Sequence, residues 1–118
     1  MPAAKSVLDV SRLTELQELL GTDREAIVGT LVTELTSAVD RINEGLACGD
    51  LGEVAAAAHA ARNSALMIDA QPVLQVLKQL ETCARNEQPD EAAAARARLR
   101  RAWPRLRREL EQAAEARD

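Results

Sequence analysis

Apolar side chains recur along most of the chain at intervals of three and four residues, with polar residues between them. This spacing places the apolar side chains on one face of an α-helix. The longest such stripe consists of Ile27, Leu31, Leu35, Ala38, Ile42 and Leu46. We therefore expect a protein built from amphipathic helices, each of which buries one face.

Helix-capping residues, glycines and a proline divide the chain into five predicted helices. Asp9 and Asp50 can accept hydrogen bonds at helix N-termini, and Gly21 and Gly49 are suited to helix C-termini. The predicted helices cover approximately residues 9–20, 23–48, 51–69, 72–86 and 89–116. Pro104 lies inside the fifth helix and removes one backbone hydrogen bond, so we expect a kink or a break there.

The composition favours an all-α fold. Hydrophobic residues make up 47% of the 118 residues, much of this fraction is alanine, and aromatic residues contribute only 1%. Helices favour Ala, Leu, Glu, Arg and Gln, whereas sheets depend on β-branched and aromatic residues. Four long helices joined by short turns predict one domain over residues 1–118. Its expected form is an antiparallel four-helix bundle with the short N-terminal helix across one end.

The charge distribution argues against a nucleic-acid-binding protein. The formal net charge is −4, whereas such proteins normally carry a basic surplus. Seven arginines lie between residues 96 and 108, but the apolar positions Leu99, Trp103 and Leu106 are interleaved with them. No set of aromatic residues accompanies these arginines for base stacking. We interpret this segment as a solvated helix face.

The sequence also bears on location and assembly. No apolar stretch approaches the roughly 20 residues that span a bilayer, and no apolar segment behind Lys5 indicates a secretory signal. We therefore expect a cytoplasmic protein without membrane contacts. Cys48 and Cys83 are predicted to be free thiols. A monomer is expected, because the outer helix faces carry no long apolar seam.

His59 is the only histidine and the centre of the candidate chemistry. The predicted buried face of the third helix is formed by Leu51, Val54, Ala58, Ala61, Ala65 and Ile68. At about 100° per residue, His59 points about 140° away from that face. We therefore expect an exposed imidazole, with Arg62 and Asn63 one turn further along the helix.

An exposed imidazole beside an arginine is suited to phosphoryl transfer between proteins. Neutral imidazole is a nucleophile, and the Arg62 guanidinium can bind phosphoryl oxygens. Asn63 is a candidate acceptor for the Nδ1–H group, which would leave Nε2 free to attack. A flat docking patch for a partner is predicted from Gly52, Ala55, Ala56 and Leu66.

A simpler interpretation of His59 is open on geometry alone. His59 can be an ordinary solvated polar residue of an exposed helix face. A metal site is disfavoured, because one histidine without nearby Cys, His or carboxylate groups cannot fill a tetrahedral site. We expect neither a metal nor a cofactor bound by this chain.

Residues 58–70, Ala-His-Ala-Ala-Arg-Asn-Ser-Ala-Leu-Met-Ile-Asp-Ala, resemble the phospho-accepting signature of histidine-containing phosphotransfer (HPt) domains. In that signature Ala-His is followed by a basic residue three positions later, then by Gly, Ser and a small residue, and later by Gly-Ala. The surrounding segments are similar in order and spacing: Val-Leu-Asp at 7–9, Leu-Leu-Gly at 19–21, Gly-Asp-Leu at 49–51 and Leu-Lys-Gln-Leu-Glu at 77–81. The likeness spans nearly the whole chain.

Three positions depart from the family pattern. Arg62 stands where the family usually has Lys, and it keeps the charge while presenting it as a planar fork. Asn63 replaces a Gly beside the imidazole, where its side chain either obstructs a partner or tunes the ring. Asp69 replaces the second Gly.

The resemblance implies a phosphorelay intermediate that accepts a phosphoryl group on His59 from a receiver-domain aspartate and transfers it to another receiver. Response-regulator receiver domains or a hybrid histidine kinase are the implied partners. The chain has no glycine-rich nucleotide loop, so it is expected to be a phosphocarrier and not a self-sufficient enzyme, with magnesium supplied by the receiver. The alternative is an HPt-like interaction module that docks a receiver or kinase without carrying phosphate.

Overall fold

The computed structural model describes residues 8–115, and this part of the chain forms five α-helices and no β-strand. The helices are α1 (Val10–Leu20), α2 (Arg24–Cys48), α3 (Leu51–Met67), α4 (Gln71–Arg85) and α5 (Pro89–Glu115). The predicted all-α class is therefore confirmed. None of the helices in this range combines the length and the hydropathy that crossing a membrane requires.

Local capping chemistry accounts for the limits of the first three helices. The carboxylates of Asp9, Asp23 and Asp50 each accept a hydrogen bond from a backbone N–H two or three residues further along. Such bonds satisfy donors that have no partner inside the helix. Gly21 and Gly49 end α1 and α2 in the left-handed conformation, with φ of 65° and 74°.

The third helix ends two residues before its predicted end. Its C-cap is the buried Ile68, and Asp69 adopts a left-handed φ of 50°. The Ala70 N–H donates to the Ala65 carbonyl oxygen across this turn, so the chain reverses before residue 70. The turn brings α4 back against α3, and α4 begins at Gln71.

Of the kink or break expected at Pro104, the break does not occur, because the fifth helix continues through this residue. Proline has no N–H, so the hydrogen bond to the carbonyl oxygen of Arg100 is lost. The side chains of Leu99, Trp103 and Leu106 nevertheless stay buried on both sides of it. This apolar face packs against α2 and α4, and the loss of one hydrogen bond leaves the helix continuous.

The helices pack so that α3 is covered on two sides. α3 packs against α2 and α4, α5 also packs against α2 and α4, and α1 packs against α2. Where α2 meets α3, a Cβ atom added to Gly45 would lie 2.7 Å from Val54 Cγ2. Besides the predicted alanines of the α3 core face, Ala55, Ala57 and Ser64 are buried, whereas Leu51 is only partly buried. Only a narrow strip of α3 therefore faces solvent.

Candidate functional site

His59 lies on the exposed strip of α3, as the helical phase predicts. Its side chain keeps 59% of its surface exposed. The ring extends from the middle of a regular helix whose other faces are packed, so its position is set by rigid elements. The imidazole is therefore accessible to a protein partner.

A buried carboxylate on α4 contacts Nδ1 of this ring. Glu81 Oε2 lies 2.9 Å from His59 Nδ1, and the Glu81 side chain is only 7% exposed. An ionised carboxylate can only accept hydrogen bonds, so Nδ1 carries the proton in this contact. In a neutral ring, Nε2 is then unprotonated and keeps its lone pair.

The prediction that Asn63 accepts from Nδ1–H is not what the structure contains. Asn63 is exposed, and its side chain makes no hydrogen bond to any residue between 8 and 115. Glu81 takes this position because α4 packs alongside α3 and presents a carboxylate directly under the ring.

Two arginines share the same carboxylate. Arg62 Nη1 donates to Glu81 Oε1 over 2.7 Å, and Arg85 Nη2 lies 2.6 Å from Glu81 Oε2. Arg85 stands one turn after Glu81 on α4, whereas Arg62 comes from α3. His59, Arg62, Glu81 and Arg85, hereafter the His59 cluster, therefore connect the two helices around one carboxylate.

The electrostatics of the His59 cluster keep Glu81 ionised. Burial raises the pKa of the Glu81 carboxyl, but the hydrogen bonds from Arg62 and His59 and the charge of Arg85 lower it more. The net pKa lies below the ordinary value of 4.5. At neutral pH the cluster thus holds two guanidinium charges and one carboxylate beside the exposed imidazole. The net positive charge favours an incoming anion.

The predicted docking patch is only partly exposed. Gly52, Ala56 and Leu66 face solvent, but Ala55 is 8% exposed and belongs to the core. Ala55 is buried because α2 and α4 cover both flanks of α3. Less than half of the circumference of α3 is therefore exposed to solvent. Met67 is exposed next to Leu66 and enlarges the apolar part of this surface.

Comparison with known proteins agrees with this geometry. The Hpt domain family model matches residues 26–116, which include the His59 cluster and most of the chain. The chain belongs to the Hpt domain family. Its fold is similar to the crystal structure of histidine-containing phosphotransfer protein B (HptB) from Pseudomonas aeruginosa PAO1. The TM-score is 0.85 at 22% identity, and the alignment covers 97% of this chain and 100% of that one. Comparison with curated proteins gave no match.

Sequence reasoning alone did not find two members of the His59 cluster, Glu81 and Arg85. Both lie on α4, near the apolar positions Val76, Leu77 and Leu80. The spacing of four residues from Leu77, which places an acidic residue beside this apolar stripe, is the sequence signal that could have singled out Glu81. The contacts of Glu81 with His59 and Arg62 on α3 could not be predicted, because they depend on how the two helices pack.

Metal-binding groups are not part of this Hpt site. Across residues 8–115, no three His, Cys, Asp or Glu side chains are grouped so that they could hold a metal ion. Cys48 and Cys83 are both free thiols, as predicted. The His59 cluster itself contributes one imidazole, one carboxylate and two guanidinium groups.

Proposed function

We propose that this chain is a phosphorelay intermediate that carries a phosphoryl group on His59 Nε2. The observation that supports the proposal best is the contact between His59 Nδ1 and Glu81, because it leaves the opposite nitrogen as the nucleophile on an exposed ring. The donor and the acceptor are the aspartates of receiver domains, or the receiver of a hybrid histidine kinase.

The reaction needs one bond to form and one to break. The Nε2 lone pair attacks the phosphorus of a receiver phosphoaspartate, and the phosphorus–oxygen bond to the aspartate breaks, which releases its carboxylate. The ring becomes an imidazolium whose Nδ1–H stays hydrogen-bonded to Glu81. In the reverse direction a receiver carboxylate attacks phosphorus, and the phosphorus–Nε2 bond breaks.

The carboxylate and the two guanidinium groups of the His59 cluster have different tasks in this proposal. Glu81 orients the ring and stabilises the positive charge that develops on it. Arg62 and Arg85 have guanidinium N–H groups beyond those that bind Glu81, and these can contact the phosphoryl oxygens. The chain is a phosphocarrier, so magnesium and the rest of the catalytic groups come with the receiver.

The surrounding surface accommodates the partner. Gly52, Ala56, Leu66 and Met67 provide small and apolar contacts on the exposed strip of α3. We further propose that α2 to α5 form an antiparallel four-helix bundle in a single domain, with α1 across one end. The ring of packed helix pairs supports this arrangement.

Incubation of the chain with a receiver that carries a radiolabelled phosphoaspartate tests the proposal. We expect an acid-labile label on the chain and none on His59→Gln, with unchanged helical content of the variant. Stoichiometric binding of the receiver without label would overturn the carrier proposal and support the interaction module. Asn63→Gly serves as a matched variant on α3, because a faster transfer than in the wild type would show that Asn63 obstructs the partner.

The role of Glu81 as a positioning residue has its own readout. We expect Glu81→Gln to slow the transfer by about tenfold or more, because a charge-assisted hydrogen bond is replaced by a neutral one. The nitrogen chemical shifts of the imidazole report the tautomer, and they should show Nδ1 protonated in the wild type and a mixed population in Glu81→Gln. Unchanged shifts and an unchanged rate would exclude this role.

A further inference from the structure

A surface cavity of about 430 Å³, open to solvent beside Ala47, Pro89 and Ala93, lies where the C-terminal end of α2 and the first turns of α3 and α5 meet. Its walls are mainly apolar and include Leu46, Ala47, Leu51 and Ala93. The volume is within the range of about 300–1,000 Å³ that small-molecule sites occupy. The cavity shares no residue with the His59 cluster.

The Arg96 guanidinium lies beside these apolar walls and has few hydrogen-bond acceptors and no counter-charge among the described residues. Arg96 Nε is buried and has no hydrogen-bond acceptor among the protein atoms of residues 8–115. Arg96 Nη1 reaches only Asn43 Oδ1, at 3.5 Å, which is the outer limit of a hydrogen bond. No carboxylate of the described residues forms an ion pair with Arg96, although Arg107 on the same helix is paired with Glu111.

A partly buried cation without a counter-charge favours an anion that can supply one. A carboxylate matches the planar fork of arginine and can accept from the two terminal nitrogens together. The apolar walls on either side favour a ligand whose remaining part is apolar as well. An inorganic anion would satisfy the guanidinium but would leave these walls in contact with water.

We propose that this cavity binds a small carboxylate with an apolar tail. In the bound complex the carboxylate contacts Arg96, with Asn43 beside it, and the tail lies against Leu46, Leu51 and Ala93. Leu51 precedes His59 by eight residues of α3, or about 12 Å along the helix, so the ligand does not contact the His59 cluster itself.

Titration of the isotope-labelled full-length chain with octanoate, followed by NMR, tests the proposal. We expect saturable shifts of backbone amides between residues 46 and 51 and between 93 and 96. Arg96→Gln should weaken binding at least tenfold. Arg98→Gln is the matched control, because Arg98 lies two residues away and donates to Gln79 on α4. It should bind octanoate as the wild type does.

Two further ligands and one further variant test the contact with Arg96 and the contact with the apolar walls separately. Acetate tests the charged group without the tail, 1-octanol tests the tail without the charge, and both should bind at least tenfold more weakly than octanoate. Ala93→Leu should block binding while Arg96 is kept. The proposal would be overturned if acetate or 1-octanol bound as tightly as octanoate, or if Arg96→Gln bound octanoate as tightly as the wild type does. Chemical shifts that do not saturate with octanoate would also overturn it.

Discussion

The Glu81 carboxylate links three side chains at the centre of the candidate site. It accepts hydrogen bonds from His59 and Arg62 and forms an ion pair with Arg85. A buried carboxylate without such partners would be costly, since burial disfavours its charged form. The same three contacts that orient the imidazole therefore also allow Glu81 to be buried and ionised. In the proposed function, phosphoryl transfer and stability therefore depend on the same residue.

This arrangement predicts a specific dependence of stability on pH. The pKa of Glu81 is lower in the folded chain than in the unfolded chain, so the unfolded state binds more protons as the pH falls through this range. The stabilisation from Glu81 is therefore fully present above pH 4.5 and decreases as the pH falls through the lower folded-state pKa. We expect the wild type to lose more unfolding free energy than Glu81→Gln between neutral and acidic pH.

Urea unfolding of both proteins at a series of pH values measures this difference. The two curves should converge at acidic pH, because a protonated Glu81 has no more charge than Gln. Glu91→Gln is a suitable control, since Glu91 is exposed and forms no ion pair with the other described residues. A constant difference between wild type and Glu81→Gln at every pH would contradict the prediction.

The contact between α2 and α3 shows how closely two of the helices approach each other. Gly45 is buried in α2, and an added Cβ would meet Val54 Cγ2 at 2.7 Å and the Asp50 carbonyl oxygen at 3.0 Å. The second of these atoms belongs to the backbone, so movement of the Val54 side chain alone cannot make room. The glycine is needed for the approach of the two helices, although glycine is a poor helix former.

Two glycine substitutions in α2 separate helix propensity from packing. We expect Gly45→Ala to lower the free energy of unfolding by about 1–3 kcal/mol, since overpacking outweighs the gain in propensity. Gly29→Ala should raise it by up to about 1 kcal/mol, because nothing lies within 4 Å of an added Cβ at Gly29. Thermal or urea unfolding measures both values. Stabilisation by both substitutions would show that α2 and α3 are farther apart than described.

At the scale of the molecule, the exposed apolar surface is small and divided. The large apolar side chains exposed between residues 8 and 115 are on α1 and at the end of α3, and they are Val10, Leu19, Leu20, Leu66 and Met67. A stable interface normally buries about 1,600 Å² in total. We therefore predict a monomer of 12.8 kDa that docks its partners transiently.

Sedimentation equilibrium over a tenfold range of protein concentration measures the mass directly. The expected result is one species of 12.8 kDa at every concentration. A mass that rises toward twice this value would contradict the prediction. In that event Leu66→Glu would show whether the apolar end of α3 forms the interface between the two copies.

Much of the fold and half of the site follow from local sequence signals. Carboxylates at Asp9 and Asp50, glycines at 21 and 49, and the spacing of apolar residues predict helices whose limits lie within two residues of those in the structure, apart from the predicted end at residue 116, which lies outside the described residues. The outward direction of His59 also follows, because the rotation per residue of an α-helix is set by its own hydrogen bonds. The same rotation places Arg62, three residues after His59, on the same face of α3.

The other half of the site is decided by packing between helices that are distant along the chain. Glu81 and Arg85 reach His59 only because α4 lies against α3 with a particular rotation and register. That contact depends on the fit of many side chains at once, and no single spacing in the sequence encodes it. For the same reason the geometry of α3 alone indicates Asn63 as the acceptor for the Nδ1–H group and Ala55 as exposed. The packing of α2 and α4 against α3 changes both results. The sequence by itself determined the helices and the direction of the imidazole, and the tertiary structure decided which groups surround it.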